Sequence, residues 1–404
     1  MDARPSPGPR HAGVDWSWDR QAVCVLDDEG LVLDRFDVGN RSRPLGQMCE
    51  RLHRWEVRRV AIERPDGPVV RAVLDAGLEV VVISPRQVRA FRIRHGTAGN
   101  KDDRFDAYVL ADALRTDGHR MGSLTPDRAD TQALRALVRA RKDLVGHRIA
   151  LSNQLLANLQ QAFPGAVGLF AQLDSPISLT FLERFPTADK AAWLSELRLR
   201  AWLRSAGYCG RQTPAELMKH LSEATVGLTG EAGTGHGIVT VQLVGTLRDV
   251  RARIDELDRQ IAEALELHPD GEIFRSLPRA GTNRAALLLA EIGDCRSRYP
   301  DECSIAAAAG VAPSTRASGK RSQVSFRRGC DKQLRAALID FAQDSVLASP
   351  WARDIYDRAR ARGCRHPHAV RVLARAWVRV IWRCWTDGVP YDPALHGGLN
   401  RLAA

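Results

Sequence analysis

Apolar and polar residues alternate along the first part of the chain. The segments 12–18, 21–28 and 31–38 each show the two-residue period of a half-buried strand, and Glu29-Gly30 between the last two is typical of a hairpin turn. Helical and strand-like patterns then alternate through two further strands, 58–63 and 78–84. Three antiparallel strands followed by helix, strand, helix, strand and helix are the element order of the ribonuclease H fold. We therefore predict an α/β domain at 11–125, after a tail at 1–10.

Two long helical patterns occupy 126–271. Leucines share one stripe from 128 to 163, and a stricter heptad of apolar residues runs from Leu243 to Ile261. The heptad predicts a coiled-coil helix, and its partner is either the other long helix of the same chain or a second copy of the protein. A proline-broken helical insert at 166–236 separates the two helices and carries no recognisable chemistry.

The segment 272–392 has the pattern of a compact helical domain, with a tail at 393–404. It opens with two apolar helical stretches that flank Pro278 and Gly281. This arrangement resembles a helix-hairpin-helix, in which hairpin amides and the next helix N-terminus meet a DNA phosphate. Gly281 is therefore a candidate nucleic-acid contact, and the predicted fold class is α/β plus all-α.

Charge and cysteine usage narrow the function. The formal net charge is +11, which favours a polyanionic partner, most commonly nucleic acid. The eight cysteines form no C-x-x-C pair, which argues against a structural zinc site and a disulfide framework. No apolar run approaches the roughly 20 residues of a membrane span. The composition indicates a cytoplasmic nucleic-acid-binding protein without a membrane partner.

Four acids carry the candidate chemistry. Asp15 lies within the first core strand, where a carboxylate needs a cation or donor to offset its burial. Glu63 ends the strand 58–63, at the edge where α/β sheets bind ligands. Asp103 and Asp106 are three residues apart at the start of a helix, so they can point to one site.

Glu63 and the acids at the helix start also have structural interpretations. Glu63 could cap a turn, and the helix dipole favours acids in a first turn, which accounts for at least one of Asp102, Asp103 and Asp106.

Four carboxylates suit two-metal phosphoryl chemistry, with oxygen ligands that favour Mg²⁺, or Mn²⁺ as a substitute.

The strings GVDWSWD, VAIE and NKDDRFDAYVLADALR resemble the DEDD transposases of the insertion-sequence family called "one-ten", whose N-terminal domain is related to RuvC-type Holliday-junction resolvases. The C-terminal strings SLPRAGTNRAALLLAEIGD and AAAAGVAPSTRASGKRSQVSFRRGCDKQLRAALIDFA are similar to the second domain of that family. The resemblance covers roughly 11–165 and 272–385. Matching the family's K-x-D-x-x-D-A string assigns Asp103 rather than the additional Asp102, and whether Asp102 replaces it stays open.

In that family a serine beside a glycine is the nucleophile, and the match falls on Ser318-Gly319, within a polar, glycine-containing segment that we expect to form a loop. A glycine lets a DNA backbone approach closely, and the cations around it suit phosphate oxygens. No histidine lies nearby in sequence to activate the serine, so the metal site of the other domain would supply the activation. The candidate cations are Arg316, Lys320, Arg321, Arg327 and Arg328.

The resemblance implies a transposase that joins element ends to target DNA through a phosphoserine intermediate. It further implies guidance by a noncoding bridge RNA, a site shared between the protomers of a dimer or tetramer, and action at the bacterial nucleoid. One alternative is a RuvC-like nuclease or Holliday-junction resolvase that uses water as the nucleophile. Another is a nucleic-acid-binding protein whose acids are structural.

Overall fold

The computed structural model describes residues 8–95, 102–319 and 321–399. Most of the tail predicted at 1–10 and the last five residues of the tail predicted at 393–404 lie outside the described residues. The chain divides into two compact units, Met1–Pro126 and Asp127–Ala404. Among the helices of the described ranges, none is both long and apolar enough to cross a lipid bilayer.

Five strands form one mixed sheet in the first unit. They are β1 (Arg10–Asp15), β2 (Arg20–Leu26), β3 (Val32–Gly39), β4 (Val57–Ile62) and β5 (Glu79–Val82). Their order is β3-β2-β1-β4-β5; β1, β2 and β3 are antiparallel, and β4 and β5 run parallel to β1. This arrangement confirms the predicted α/β class with a meander followed by parallel strands.

Helices cover both faces of this sheet. One face carries α1 (Ser42–Arg54) and α2 (Pro68–Asp75), and the other carries α3 (Pro85–His95) and α4 (Asp103–Asp117). The helix α4 lies directly on β1, because a Cβ added to Gly13 would be 2.2 Å from the carbonyl oxygen of Ala107 and 2.4 Å from the amide nitrogen of Ala111. Only glycine permits this close approach of helix and strand.

The two long helices pair within the second unit. They are α5 (Ala129–Ala162) and α10 (Gly230–Leu267), and they run antiparallel, since Arg141 contacts Asp258 while the buried Thr131 bonds His268 at 2.8 Å. The heptad residues Leu247 and Ile254 are 0% and 4% exposed. The heptad of α10 therefore has a partner in its own chain, the first of the two partners expected from the sequence.

The insert between the long helices has a hydrophobic core of its own. That core joins its four helices to residues of α5 and α10 such as Leu155, Leu159 and Leu247. The helices are α6 (Pro176–Arg184), α7 (Ala188–Ala191), α8 (Glu196–Ser205) and α9 (Pro214–Glu223).

The C-terminal part surrounds a core that contains two buried tryptophans. Their indole N–H groups are both satisfied, because Trp377 donates to Ser345 Oγ at 2.8 Å and Trp385 donates to the carbonyl oxygen of Gly293 at 2.9 Å. The helices are α11 (Gly271–Arg275), α12 (Gly281–Ile292), α13 (Glu302–Ala308), α14 (Lys332–Ser345), α15 (Pro350–Ala361) and α16 (His366–Asp387).

This part is largely helical, as expected, apart from the segment that contains Ser318. The residues around Ser318, expected to form a polar loop, form a two-stranded antiparallel hairpin of β6 (Ser314–Ser318) and β7 (Arg321–Ser325). Its strands contain Thr315 and Val324 opposite one another, and β-branched residues favour extended backbone. The strands were not predicted because these segments contain few apolar residues and so show no clear alternation of apolar and polar positions.

An ion network ties the start of α5 to the segment that follows α12. The buried carboxylate of Asp127 accepts hydrogen bonds from Arg135 and Arg298 and from the amide of Asp294. Burial by itself would raise the pKa of Asp127, but the two guanidinium groups outweigh it and hold that pKa below its usual value. The network stabilises the beginning of the second unit.

Candidate active site and nucleic-acid interface

Asp15 and Glu63 lie at one edge of the sheet. Asp15 ends β1, and Glu63 directly follows β4. The two strands are parallel neighbours whose register pairs Val14 with Ile62, so the next residue on each strand brings Asp15 beside Glu63. Both acids are partly buried. Two carboxylates therefore lie at the carboxyl ends of adjacent parallel strands, where α/β sheets bind their ligands.

Both acids lie on the face of the sheet that α4 covers. Side chains two residues apart on a strand share a face. Gly13, two residues before Asp15, is in contact with α4, and Ala61, two residues before Glu63, packs in a core cluster with Leu110 of α4.

The first turn of α4 lies near the strand position of Asp15. Arg104 donates a hydrogen bond to Asp37 Oδ2 at 2.8 Å. Asp37 pairs with Ala22 across β3 and β2, and Ala22 pairs with Asp15 across β2 and β1. The hydrogen bond from Arg104 lowers the pKa of Asp37, so that carboxylate stays ionised and holds the helix start in place. The start of α4 is thereby brought to the edge of Asp15 and Glu63.

The three acids at this helix start have different surroundings. Asp102 is the N-cap and accepts a hydrogen bond from the backbone amide of Arg104 at 3.4 Å, which gives it a structural role. Asp103 is exposed to solvent. Asp106 is only 3% exposed, and its Oδ1 accepts from Arg92 Nε at 2.7 Å.

The donor chemistry of the four acids fits a hard divalent cation, because all the donors are carboxylate oxygens. They do not form a ready-made ligand group, however: within the described ranges no three acids, histidines or cysteines are grouped so that they could hold a metal ion. Arg92 already engages Asp106. Coordination by Asp106 would require that guanidinium to move.

Sequence reasoning missed the basic partners of α4. Arg92 on α3 binds Asp106, and His95 Nε2 lies 3.1 Å from Asp112 Oδ2. Asp112 is 3% exposed, and Arg115 also bonds it at 2.6 Å. The several arginines and the histidine within 85–95 indicate a basic helix from the sequence alone. Which acid each of them contacts depends on how α3 packs on α4.

Ser318 is the last residue of β6 and is exposed. It pairs with Arg321 across the hairpin, which leaves a two-residue connection that starts with Gly319. Gly319 has φ of +55°, a left-handed conformation that favours glycine in such a turn. The serine hydroxyl is therefore displayed beside a hairpin tip.

Only some of the cations predicted around Ser318 can be described. Lys320 and the side chains of Arg316 and Arg321 lie outside the described residues. Arg328 is exposed, and Arg327 is half-buried. The described part of this region thus retains at least one solvent-facing cation near the hairpin.

Phe326 anchors the base of the hairpin. The guanidinium carbons of Arg335 and Arg371 lie 4.4 and 4.7 Å from the centre of its ring. Arg335 also donates to the carbonyl oxygens of Ala309 and Arg327. These contacts connect the hairpin to α13, α14 and α16, so its tip projects from a fixed base.

Gly281 begins α12 with φ of +56° and is exposed. The neighbouring arginines are engaged by acids of α14: Arg279 bonds Asp344 at 3.2 Å, and Arg284 bonds Asp340 at 2.9 Å. The exposed backbone of the α12 start could meet a phosphate, whereas these two guanidinium groups already have partners.

Comparisons with known proteins identify the class. Residues 12–164 match a family model for the DEDD domain of IS110 elements, described as "Transposase", and residues 271–357 match a second one, described as "Transposase IS116/IS110/IS902 family". The protein of the IS117 mini-circle of Streptomyces coelicolor, whose name gives it a transposase role, is 33% identical over 94% of each chain. The 43.6 kDa protein of insertion element IS110 from the same organism is 32% identical over 81% of each chain.

More distant similarity extends to other bacteria. The transposase for insertion sequence element IS1328 of Yersinia enterocolitica is 25% identical over 82% of this chain and 85% of its own length. The solved structure "T. thermophilus RuvC in complex with Holliday junction substrate" has 18% identity and a TM-score of 0.23, and the match covers 29% of this chain and 99% of that chain.

The matches to the family models and to the Streptomyces proteins define a transposase, an enzyme class that cleaves DNA and transfers its strands. The chain belongs to the IS110 family of insertion-sequence transposases.

Proposed function

We propose that this transposase joins DNA strands through a phosphoserine intermediate at Ser318, with Asp15, Glu63, Asp103 and Asp106 as ligands of Mg²⁺ or Mn²⁺. The observation that carries the proposal is that β1 and β4 end side by side with Asp15 and Glu63, on the side of the sheet where α4 begins. Family membership supports it, because the "DEDD" of the matched model is the order in which these four acids occur.

In the proposed reaction Ser318 Oγ attacks a DNA phosphorus. The Oγ–P bond forms and the serine hydroxyl loses its proton as the bond from phosphorus to the leaving deoxyribose oxygen breaks; that oxygen gains a proton in turn, so the step is balanced. The reverse attack by a deoxyribose hydroxyl rejoins a strand and releases Ser318. A phosphodiester is exchanged for a phosphodiester, so no external energy source is required. A bound divalent cation would activate the hydroxyl and stabilise the leaving oxygen.

Residues around the serine would hold the DNA. Gly319 allows close approach of the backbone, and the cations bind phosphate oxygens. Gly281 would present backbone amides to a further phosphate. The proposed phosphate-binding residues beside Ser318 are Arg316, Lys320, Arg321, Arg327 and Arg328.

The finer parts of the proposal concern partners. We propose that a noncoding bridge RNA selects the element ends and the target, that the protein acts as a dimer or tetramer, and that its DNA is that of the bacterial nucleoid. The catalytic domain would be 11–125 and the serine-containing domain 272–392, with 126–271 as the connecting helices.

The decisive experiment uses a nicked DNA substrate that traps the covalent intermediate. Wild-type protein with Mg²⁺ should give a DNA adduct that peptide mass mapping places on Ser318, and chelation of the metal should abolish it. Ser318→Ala should still bind DNA but form no adduct, whereas the matched Ser325→Ala, on the opposite strand of the hairpin, should retain it. Cleavage without any adduct would instead favour a hydrolytic resolvase.

A further inference from the structure

The helix α3 has two chemically different sides. It contains four arginines and no acidic residue. One side packs on the first unit: Val88 is 1% exposed, Arg92 binds Asp106, and His95 lies against Asp112. These contacts fix how the helix is rotated about its own axis.

The opposite side faces solvent. At 100° per residue, positions 86, 89 and 93 fall within an arc of about 60° that is turned roughly 100° to 160° away from Val88. Arg86 and Arg89 are exposed, and Ile93 is 63% exposed. The ion pairs described for α3 are made by Arg92, Arg94 and His95. We call the side formed by Arg86, Arg89 and Ile93 the arginine face.

No acid within the described ranges forms an ion pair with Arg86 or Arg89, which is unlike the situation of the other cations on α3. Two exposed guanidinium groups that take part in no described ion pair remain available to attract an anion. Arginine binds phosphate oxygens through two parallel hydrogen bonds, so the group that this face suits is a phosphodiester.

The arginine face borders the edge where Asp15 and Glu63 lie. α3 begins shortly after β5, and the amide of Ile83 donates to the carbonyl oxygen of Ile62 at 2.9 Å, directly before Glu63. Further along, Arg92 reaches Asp106. The helix thus starts at the edge of Glu63 and passes the first turn of α4.

We propose that the arginine face binds the phosphate backbone of the DNA duplex that flanks the reacting phosphate. The proposal rests on the proposed function, because it is the carboxylate edge that would bring DNA to this side of the first unit. Arg86 and Arg89 each contact a phosphate, and they contribute affinity without sequence preference.

The test compares two double variants of the full-length protein that remove the same charge. Arg86→Ala with Arg89→Ala removes the arginine face. Arg43→Ala with Arg54→Ala removes two exposed arginines of α1, which lies on the other face of the sheet. Binding of duplex DNA and of duplex RNA of equal length is measured by fluorescence anisotropy at several salt concentrations, without divalent metal.

We expect the arginine-face variant to lose about 10-fold or more in DNA affinity, and the slope of log affinity against log salt to become shallower by about 2, because roughly 0.9 counterions are released per phosphate contact. The α1 variant should lose less than about 2-fold by the same electrostatic argument. Arg86→Lys with Arg89→Lys should restore most of the salt slope, since it keeps both charges. Circular dichroism checks that each variant is folded.

Equal losses in the two double variants would overturn the proposal, and so would a loss confined to RNA. Failure of the proposed chemistry is distinguishable, because Ser318→Ala and Asp15→Asn affect strand transfer and not this binding. Suppose that the wild-type protein forms no adduct but that the arginine-face variant still binds DNA more weakly than wild type. That result would support the DNA-binding face and refute only the serine mechanism.

Discussion

The contact between Arg92 and Asp106 makes a quantitative prediction about the first unit. The Asp106 side chain is 4% exposed and that of Arg92 is 24% exposed, so replacing Arg92 by alanine leaves a nearly buried carboxylate without its guanidinium. Removal of one partner from a buried pair costs about 3 kcal/mol at the lower end, and we take that end because Arg92 is partly solvated. Local opening of α3 from α4 should then rise on the order of 100-fold.

Hydrogen exchange followed by mass spectrometry on the full-length protein measures this opening directly. Amides of α3 and α4 should exchange faster in Arg92→Ala than in wild type, while those of α5 and α10 stay unchanged. Arg94→Ala is the matched control on the same helix. Its pair with Asp117 is more exposed and 3.5 Å long, so we expect a change below about 1 kcal/mol.

The same variant tests the competition between Arg92 and a metal for Asp106. If Asp106 is a ligand, Mg²⁺ should bind Arg92→Ala more tightly than wild type and should slow the exchange of α4 amides again, because the cation replaces the missing positive charge. Equal exchange in Arg92→Ala and Arg94→Ala would refute the assigned strength of the pair. Unchanged Mg²⁺ affinity would refute the competition.

Three further predictions concern packing and pH. Gly13→Ala should destabilise the first unit by about 3 kcal/mol in denaturant unfolding, because its Cβ would overlap the backbone of α4; an unchanged midpoint would contradict this packing. Leu247→Asp with Ile254→Asp should lower the melting temperature equally at low and high protein concentration, since both side chains are buried within their own chain; a drop seen only at high concentration would favour a contact between chains. Burial lowers the pKa of His268 below its usual 6.5, so its contribution to stability is complete above pH 6.5 and is lost as pH falls below it. His268→Asn should therefore flatten the acid side of the stability curve, and an unchanged slope would show that other groups cause it.

The sequence alone determined the features that depend on neighbouring residues. Alternation along 12–15 put Gly13 and Asp15 on one strand face, and the uninterrupted helical period of 128–163 predicted α5 to within one residue at each end. The motifs around the acids and Ser318 identified the family. Local periods and short motifs carry this information because a strand or helix repeats every two or 3.6 residues whatever it packs against.

Tertiary structure decided which distant groups meet. The heptad of α10 was equally compatible with a partner in its own chain or in a second copy, and only the packing of α5 against it selected the first. Arg92 and Asp106 are 14 residues apart, and nothing in their spacing pairs them. Their contact follows from the packing of α3 on α4. Burying the Asp106 carboxylate costs free energy unless a cation pairs with it, and Arg92 is that cation. The hairpin that contains Ser318 also depends on contacts between distant residues. Its short strands are polar and lack a hydrophobic pattern, and Phe326 at its base packs against Arg335 and Arg371.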